Sequence, residues 1–381
     1  MKKSILKTLN SLCSISILIL TVFIFTRCKN DSVAYISKVH GNDVIVCPVD
    51  KVTDTIHIPL SSLLESCEMV KLQTIDDALF DRAFHTAISE KYICIKSYGQ
   101  IPAKLFDING QFLRNIGTIG RGPGEYSQLY GLQFNKEGKI LYLLPFGTTR
   151  NILVYDVEGN HLKDIPLAYT QRKFKAFFSS DSIITIVSMP FKTDSAICFQ
   201  QTYNGRLIQQ ISPPQDLISR NFDGEIFSNQ STSDFDFFNT ASDTLFHYNT
   251  SKNILEPKST ISFGEGKKPI FTIKELPGYF YYWFYWLGDD KRKPGNILVD
   301  KNTLDAKYFD IKNDYYGNIN AASNFSHGYF INIVAAITLK TQLEEAIENN
   351  ELNDQMRQKL INLNNSLKPE DNDVVFFGKL K

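Results

Sequence analysis

The chain has 381 residues, 43% hydrophobic and 22% charged, a composition that excludes general disorder and supplies a large buried core. Lys plus Arg and Asp plus Glu balance at 41 each, but Lys2, Lys3, Lys7 and Arg27 lie in an N-terminal segment read below as removable, and without them acids outnumber bases by four. Such a domain has no basic surplus with which to release counterions from a phosphate backbone, so no nucleic-acid partner is expected.

Residues 1–27 have the form of an export signal: basic Met1-Lys2-Lys3, the apolar run ISILILTVFIF at 15–25, then Thr26-Arg27 and Cys28. The run is too short to span a membrane comfortably. A cysteine directly after it resembles the lipobox of bacterial lipoproteins, in which that residue is lipidated and becomes the first of the mature chain. Arg27 departs from the small residue expected there, so ordinary secretion and an uncleaved anchor stay open. A lipid on Cys28 would tether a water-exposed domain to a membrane through a segment at 28–42. Of the other cysteines, Cys13 lies in the signal, and Cys47, Cys67, Cys94 and Cys198 show neither CxxC pairing nor metal-ligand spacing, which makes them buried free thiols.

From residue 43 to 336 the chain alternates short β-branched and aromatic runs with Asn-Gly, Glu-Gly and Asn/Asp-Ser turns, and it repeats itself. KLFDINGQFLRNI (104–116) returns as LVYDVEGNHLKDI (153–165) and, weakly, as CFQQTYNGRLIQQI (198–211), with turn glycines at 110, 159 and 205, spaced by 49 and 46 residues. LFHYNTSKNIL (245–255) and ILVDKNTLDAKYF (297–309) are hairpins near the same phase. That period fits a four-stranded propeller blade, and 43–336 holds about six of them, seven remaining open. One unit parses as YSQLYGLQFN, KILYLLPF, NILVYD and HLKDIPL, strands a to d, between 126 and 167.

GTIGRGPGEY (117–126) then falls between strand d of one blade and strand a of the next, where glycine and proline serve a tight connection. It lacks the Gly-Lys-Ser/Thr of a P-loop and the GxGxxG spacing, and no helix follows. In propellers the d-to-a and b-to-c loops share the face around the channel mouth. Arg121, Glu125 and Tyr126, with Arg150 of the b-to-c loop, are therefore candidate ligand contacts, against the plainer reading that Arg121 and Glu125 pair with each other or with adjacent blades. YFYYWFYW (279–286) places Tyr281, Trp283 and Tyr285 on one strand face, either as core between blades or as a stacking platform for sugars or aromatic ligands beside the loop GDDKRKPG. After 336 the character changes to a helix-favouring segment with an apolar stripe at Leu352, Met356, Leu360, Leu363 and Leu367 and an N-cap at Asn353, followed by VVFFGKL, a strand expected to close the ring.

The aromatic-Asp-x-x-Gly hairpins, the connector IGRGPGEY, the segment 56–80 and the final helix and strand together resemble NHL/TolB-like propellers and, more closely, the bacterial six-bladed β-propeller lipoproteins. The resemblance covers most of the mature chain. It implies an all-β, six-bladed ring of four-stranded antiparallel blades in the bacterial envelope, as an outer-membrane lipoprotein facing the periplasm or the surface.

Six histidines are scattered singly, DINGQ and DVEGN lack the glycine position and terminal glutamate of a calcium loop, and no GxSxG occurs, so no metal, cofactor or catalytic residue is expected. The leading expectation is a non-catalytic module that binds a glycan, a peptide or an envelope protein at the channel mouth. The alternatives are a lyase or hydrolase acting on a glycan or peptide in the channel, which rests on fold analogy alone, and a structural component of an envelope assembly.

Overall fold

A computed structural model describes residues 32–39, 41–179, 182–228, 235–288, 294–322, 324–348 and 352–381. Cys28 and the signal lie outside the described residues, as does most of the loop 288–295. Twenty-four strands form six four-stranded antiparallel sheets, each the blade of a propeller. In chain order blade 1 is Ala83–Ile88, Tyr92–Ser97, Ala103–Asp107 and Phe112–Ile116; blade 2 is Leu129–Phe134, Ile140–Pro145, Thr149–Asp156 and Ile165–Gln171. Blade 3 is Phe174–Phe178, Ile183–Ser188, Cys198–Thr202 and Leu207–Ile211; blade 4 is Ile226–Ser228, Asp236–Asn239, Thr244–Asn249 and Ile254–Ser262. Blade 5 is Ile270–Leu276, Tyr279–Tyr285, Gly295–Asp300 and Ala306–Asn313. The first strand of each, strand a, faces the axis.

Blade 6 joins the two ends of the chain. Its strands a and b are Phe325–Ser326 and Tyr329–Val334, strand c is the C-terminal Val374–Lys379, and strand d is the N-terminal Glu68–Lys71, paired as Val375↔Val70 and Phe376↔Met69. This closure leaves no blade with an open lateral interface. Upstream of it the chain wraps the outside of the ring. The hairpin Tyr35–Val39 and Asn42–Pro48 adds to strand d of blade 4 in parallel, and Thr55–Pro59 adds to strand d of blade 5. Ordered strand thus begins inside the segment read as a tether, because a partner edge is present that sequence does not reveal.

Six hydrophobic clusters fill the six spaces between neighbouring blades. A blade strand therefore needs apolar groups on both faces. In blade 1, Ile93 and Ile95 pack toward blade 6 while Cys94 packs toward blade 2. The aromatic run in blade 5 obeys the same rule: Phe280, Tyr282 and Phe284 face blade 4, and Tyr281 and Trp283 face blade 6 and the helices. The c-to-d turns share a left-handed position, at φ +88° for Gly110, +84° for Gly159 and +83° for Gly205. Asn253 (+54°) and Leu304 (+60°) take it in blades 4 and 5, which hides the repeat from a search for glycine. Asp107 and Asp156 hold their turns by accepting the N–H of Gln111 and Asn160.

Two helices, α1 (Ala336–Glu348) and α2 (Asp354–Asn365), lie within the b-to-c connection of blade 6. Asn353 caps α2, its side chain accepting the Met356 N–H at 2.8 Å, and Leu360, Leu363 and Leu367 are buried over blades 5 and 6. In blade 2 strand d begins at Ile165 rather than at His161, since residues 161–164 form an isolated bridge and a His161–Asp164 pair instead of a ladder.

Candidate functional site in the central channel

The innermost strands of all six blades surround a central cavity of about 730 Å³, a volume suited to a small organic ligand. On the face of the d-to-a and b-to-c connections its mouth carries Asp81, Arg82 and Phe84 of blade 1, Phe227 of blade 4 and Asp373 of blade 6. At the opposite end His327, on the a-to-b turn of blade 6 with φ +51°, reaches across to blade 2, where its Nε2 lies 3.0 Å from Gln133 Oε1. A non-glycine residue held in that region of backbone space is unusual, and here the interblade contact and the bond between Nδ1 and Ser326 Oγ at 2.7 Å accompany it.

Between these ends two lysines line the cavity, Lys175 from strand a of blade 3 and Lys274 from strand a of blade 5. Lys175 donates to the Tyr130 carbonyl at 2.8 Å, with its ammonium 4.3 Å from the Tyr130 ring centroid. Lys274 makes no hydrogen bond or ion pair among the described residues. Burial lowers both ammonium groups from 10.5 to about 8, and in Lys175 the pull of Glu225 is opposed by the like charge of Lys274. His85, whose Nε2 faces the Leu129 carbonyl at 3.2 Å, is pushed down to about 3 by burial and then by Lys175. The same two causes bring His327 to about 4. At neutral pH both imidazoles are uncharged, and the positive charge of the interior belongs to the lysines.

The carboxylate nearest them is already engaged. Glu225 accepts from the Tyr130 hydroxyl at 2.5 Å and from Lys173, whose Nζ also donates to the carbonyls of Phe222 and Gly224 at 2.7 and 2.9 Å. The other two acids stand at the mouth. Burial, reinforced by the adjacent Asp81, pushes Asp373 up to about 6. The interior cations thus stand on blades 3 and 5, while the mouth carries Asp81 and Asp373 together with Arg82, whose guanidinium lies 5.4 Å from the Tyr98 ring centroid.

None of the residues singled out in the sequence lines this cavity. Tyr126 is 3% exposed; its hydroxyl accepts the Ala103 N–H and donates to the Ile116 carbonyl, both at 2.7 Å, which ties the connector to blade 1. Glu125 folds back on its own loop, accepting the Gly122 N–H at 2.7 Å, and a side chain at Gly120 would collide with its carboxylate. The tip at Gly124 packs under His161 and receives the Tyr155 hydroxyl, so the connector leans on the outer strands of blade 2, away from the axis. Arg121 is exposed, and Arg150 donates to Thr170 Oγ1 at 3.1 Å within blade 2. Tyr281 is buried and bonded to Asn296 Oδ1 at 2.8 Å, while Trp283 and Tyr285, with ring centroids 5.1 Å apart, are half-buried. Sequence reasoning missed Lys175 and Lys274. The available signal was a lysine inside each of the apolar strands FKAFF and IFTIKEL, which ordinary strand alternation absorbs without comment.

The family described as "Domain of unknown function (DUF4934)" matches residues 43–379, the ring together with its closing strand. The chain belongs to the DUF4934 family. Among solved structures, this DUF4934 propeller is similar to a Bacteroides fragilis protein assigned as exported, at 16% identity and a TM-score of 0.59 over 86% of this chain and 99% of that one. An extracellular domain from B. thetaiotaomicron aligns at 12% identity and a TM-score of 0.40, over 62% of this chain and 32% of that one. At these identities the likeness concerns the fold alone. The comparison with curated proteins returns no match. Among the described residues of this DUF4934 chain no group of three or more His, Cys, Asp or Glu is placed to hold a metal, and no helix is long and apolar enough to cross a membrane.

Proposed function

We propose that this protein is an exported propeller, tethered to the bacterial envelope through Cys28, that binds a ligand in its central channel. The observation that carries the reading is the cavity of about 730 Å³ lined by all six blades, with a lysine inside it that has no partner among the described residues. Export and tethering draw on the signal-like first 28 residues and on the exported assignment of the Bacteroides fragilis protein. In this reading the exposed Arg121 and Arg150, and the half-buried Trp283 and Tyr285, belong to the outer surface available to a protein partner, while the small-molecule site is axial. Glu125 and Tyr126 act by holding the connector.

The test is a thermal-shift panel of glycan fragments, peptides and divalent ions on the mature chain, with Lys274→Met and Arg121→Ala beside it. A ligand that binds the native state raises its apparent stability. A shift lost in Lys274→Met and kept in Arg121→Ala supports the axial site; the reverse moves the site to the rim. One observation favours a lyase or hydrolase as the second reading: lysines titrating near 8 are matched to general-base work at neutral pH. Turnover of any panel member, abolished in Lys175→Met, would establish it.

A further inference from the structure

A charge enclosed by protein without a partner destabilises the fold unless a counter-ion is supplied. Among the described residues Lys274 is in that position, Lys175 has only a carbonyl oxygen and a ring face, and the two sit close enough for the charge of one to disfavour that of the other. Each other group facing them is accounted for. Tyr130 donates to Glu225, which also accepts from Lys173, and His85 faces a carbonyl. His327 is engaged with Gln133 and Ser326. The anion that would complete the site is therefore not among the described residues. At the mouth two acids stand beside one cation, Arg82, whose guanidinium lies over the Tyr98 ring. Asp81 and Asp373 offer acceptors for hydroxyl groups, and Phe84 and Phe227 line the cavity while 47% and 38% exposed, which gives flat apolar faces to a ring.

We propose that the channel binds a small acidic saccharide, its carboxylate held between Lys175 and Lys274 and its hydroxyls and ring faces set against Asp81, Asp373, Phe84 and Phe227. The proposal rests on reading the channel as the ligand site. An ammonium–carboxylate contact in a partly dehydrated cavity is stronger than the same contact in water, and two cations from the blades on either side of blade 4 fix the direction in which the acid enters. The affinity follows the charge of the lysines: it is greatest below pH 8 and falls as the pH rises through their titration.

The decisive experiment is calorimetric titration of the mature full chain at pH 7 and low salt with three probes: digalacturonate, the corresponding neutral galactose disaccharide, and sodium sulfate. Digalacturonate is expected to bind at least about tenfold more tightly than the neutral sugar, and Lys175→Met and Lys274→Met are each expected to weaken it by about tenfold or more. Lys163→Met, at an exposed turn of blade 2, leaves it unchanged. Lys274→Gln serves as a second variant should one methionine substitution misfold. Lysine resonances of the reductively methylated protein report the same event without a heat signal. If the neutral sugar binds as tightly and the lysine variants are indifferent, the acidic inference is overturned while the channel site stands. If sulfate alone binds, the site is a simple anion site and the saccharide assignment falls. If no probe binds and no lysine resonance moves, the inference fails. A panel that likewise leaves the channel residues unperturbed then removes the axial-site reading as well.

Discussion

Replacing Lys274 by methionine is expected to stabilise the protein, the opposite of what most substitutions at an enclosed position do. The side chain has no partner among the described residues, and burial lowers its ammonium from 10.5 to about 8. At about 1.36 kcal/mol per decade of proton affinity, holding that charge in the folded state costs roughly 3 kcal/mol. Water in the channel screens part of it, so a gain of roughly 1–3 kcal/mol is expected, or a few degrees in Tm for a domain of this size. The sign follows from proton binding. Below pH 8 the lysine is charged in both states and the cost is complete; between about 8 and 10.5 the unfolded chain binds a proton that the folded one does not, so native stability rises with pH. The advantage of Lys274→Met is therefore largest at pH 7 and shrinks toward pH 10. Urea unfolding of both proteins at pH 7, 8.5 and 9.5 measures it as a difference, in which titrations common to both cancel. A variant that is no more stable at pH 7, with a difference that does not change with pH, would refute the reasoning.

Gly110→Ala should destabilise by about 2 kcal/mol or more, because the residue stands at φ +88° and a Cβ would press against the Lys71 carbonyl of the closing strand and lie 2.7 Å from Val70 Cγ1. Limited proteolysis should then show blade 6 opening first. Tyr126→Phe removes a hydroxyl bonded to both Ala103 and Ile116 and should cost about 1–3 kcal/mol in chemical denaturation while leaving channel binding intact. The thiols of Cys47, Cys67 and Cys94 are pushed up to about 12 by burial, so a thiol reagent at pH 8 should modify the native protein slowly and the unfolded one at once. Rapid native labelling at those positions would contradict the packing between blades.

The propeller was legible because its physics is local and repeated. A c-to-d hairpin needs a left-handed residue and an acceptor to hold the turn, and Gly110 with Asp107 and Gly159 with Asp156 advertise both. The stripe of α2 and its Asn353 cap were likewise written in residue spacing. The site was not legible for the converse reason. Arg121, Glu125 and Tyr126 stand out as a motif because a crowded connector needs glycine, a bonded carboxylate and a buried phenol, and these requirements are structural.

Sequence alone determined the repeat length, the strand order of the unit at 126–167 and the need for apolar residues on both faces, since each follows from neighbours along the chain. Tertiary structure alone decided that Glu68–Lys71 pairs with Val374–Lys379 to close the ring, and that Lys175 and Lys274, 99 residues apart, share one cavity. Which strand residue faces the axis depends on how the blades are turned about it, and that rotation is set by packing between blades, which leaves no mark in the local pattern.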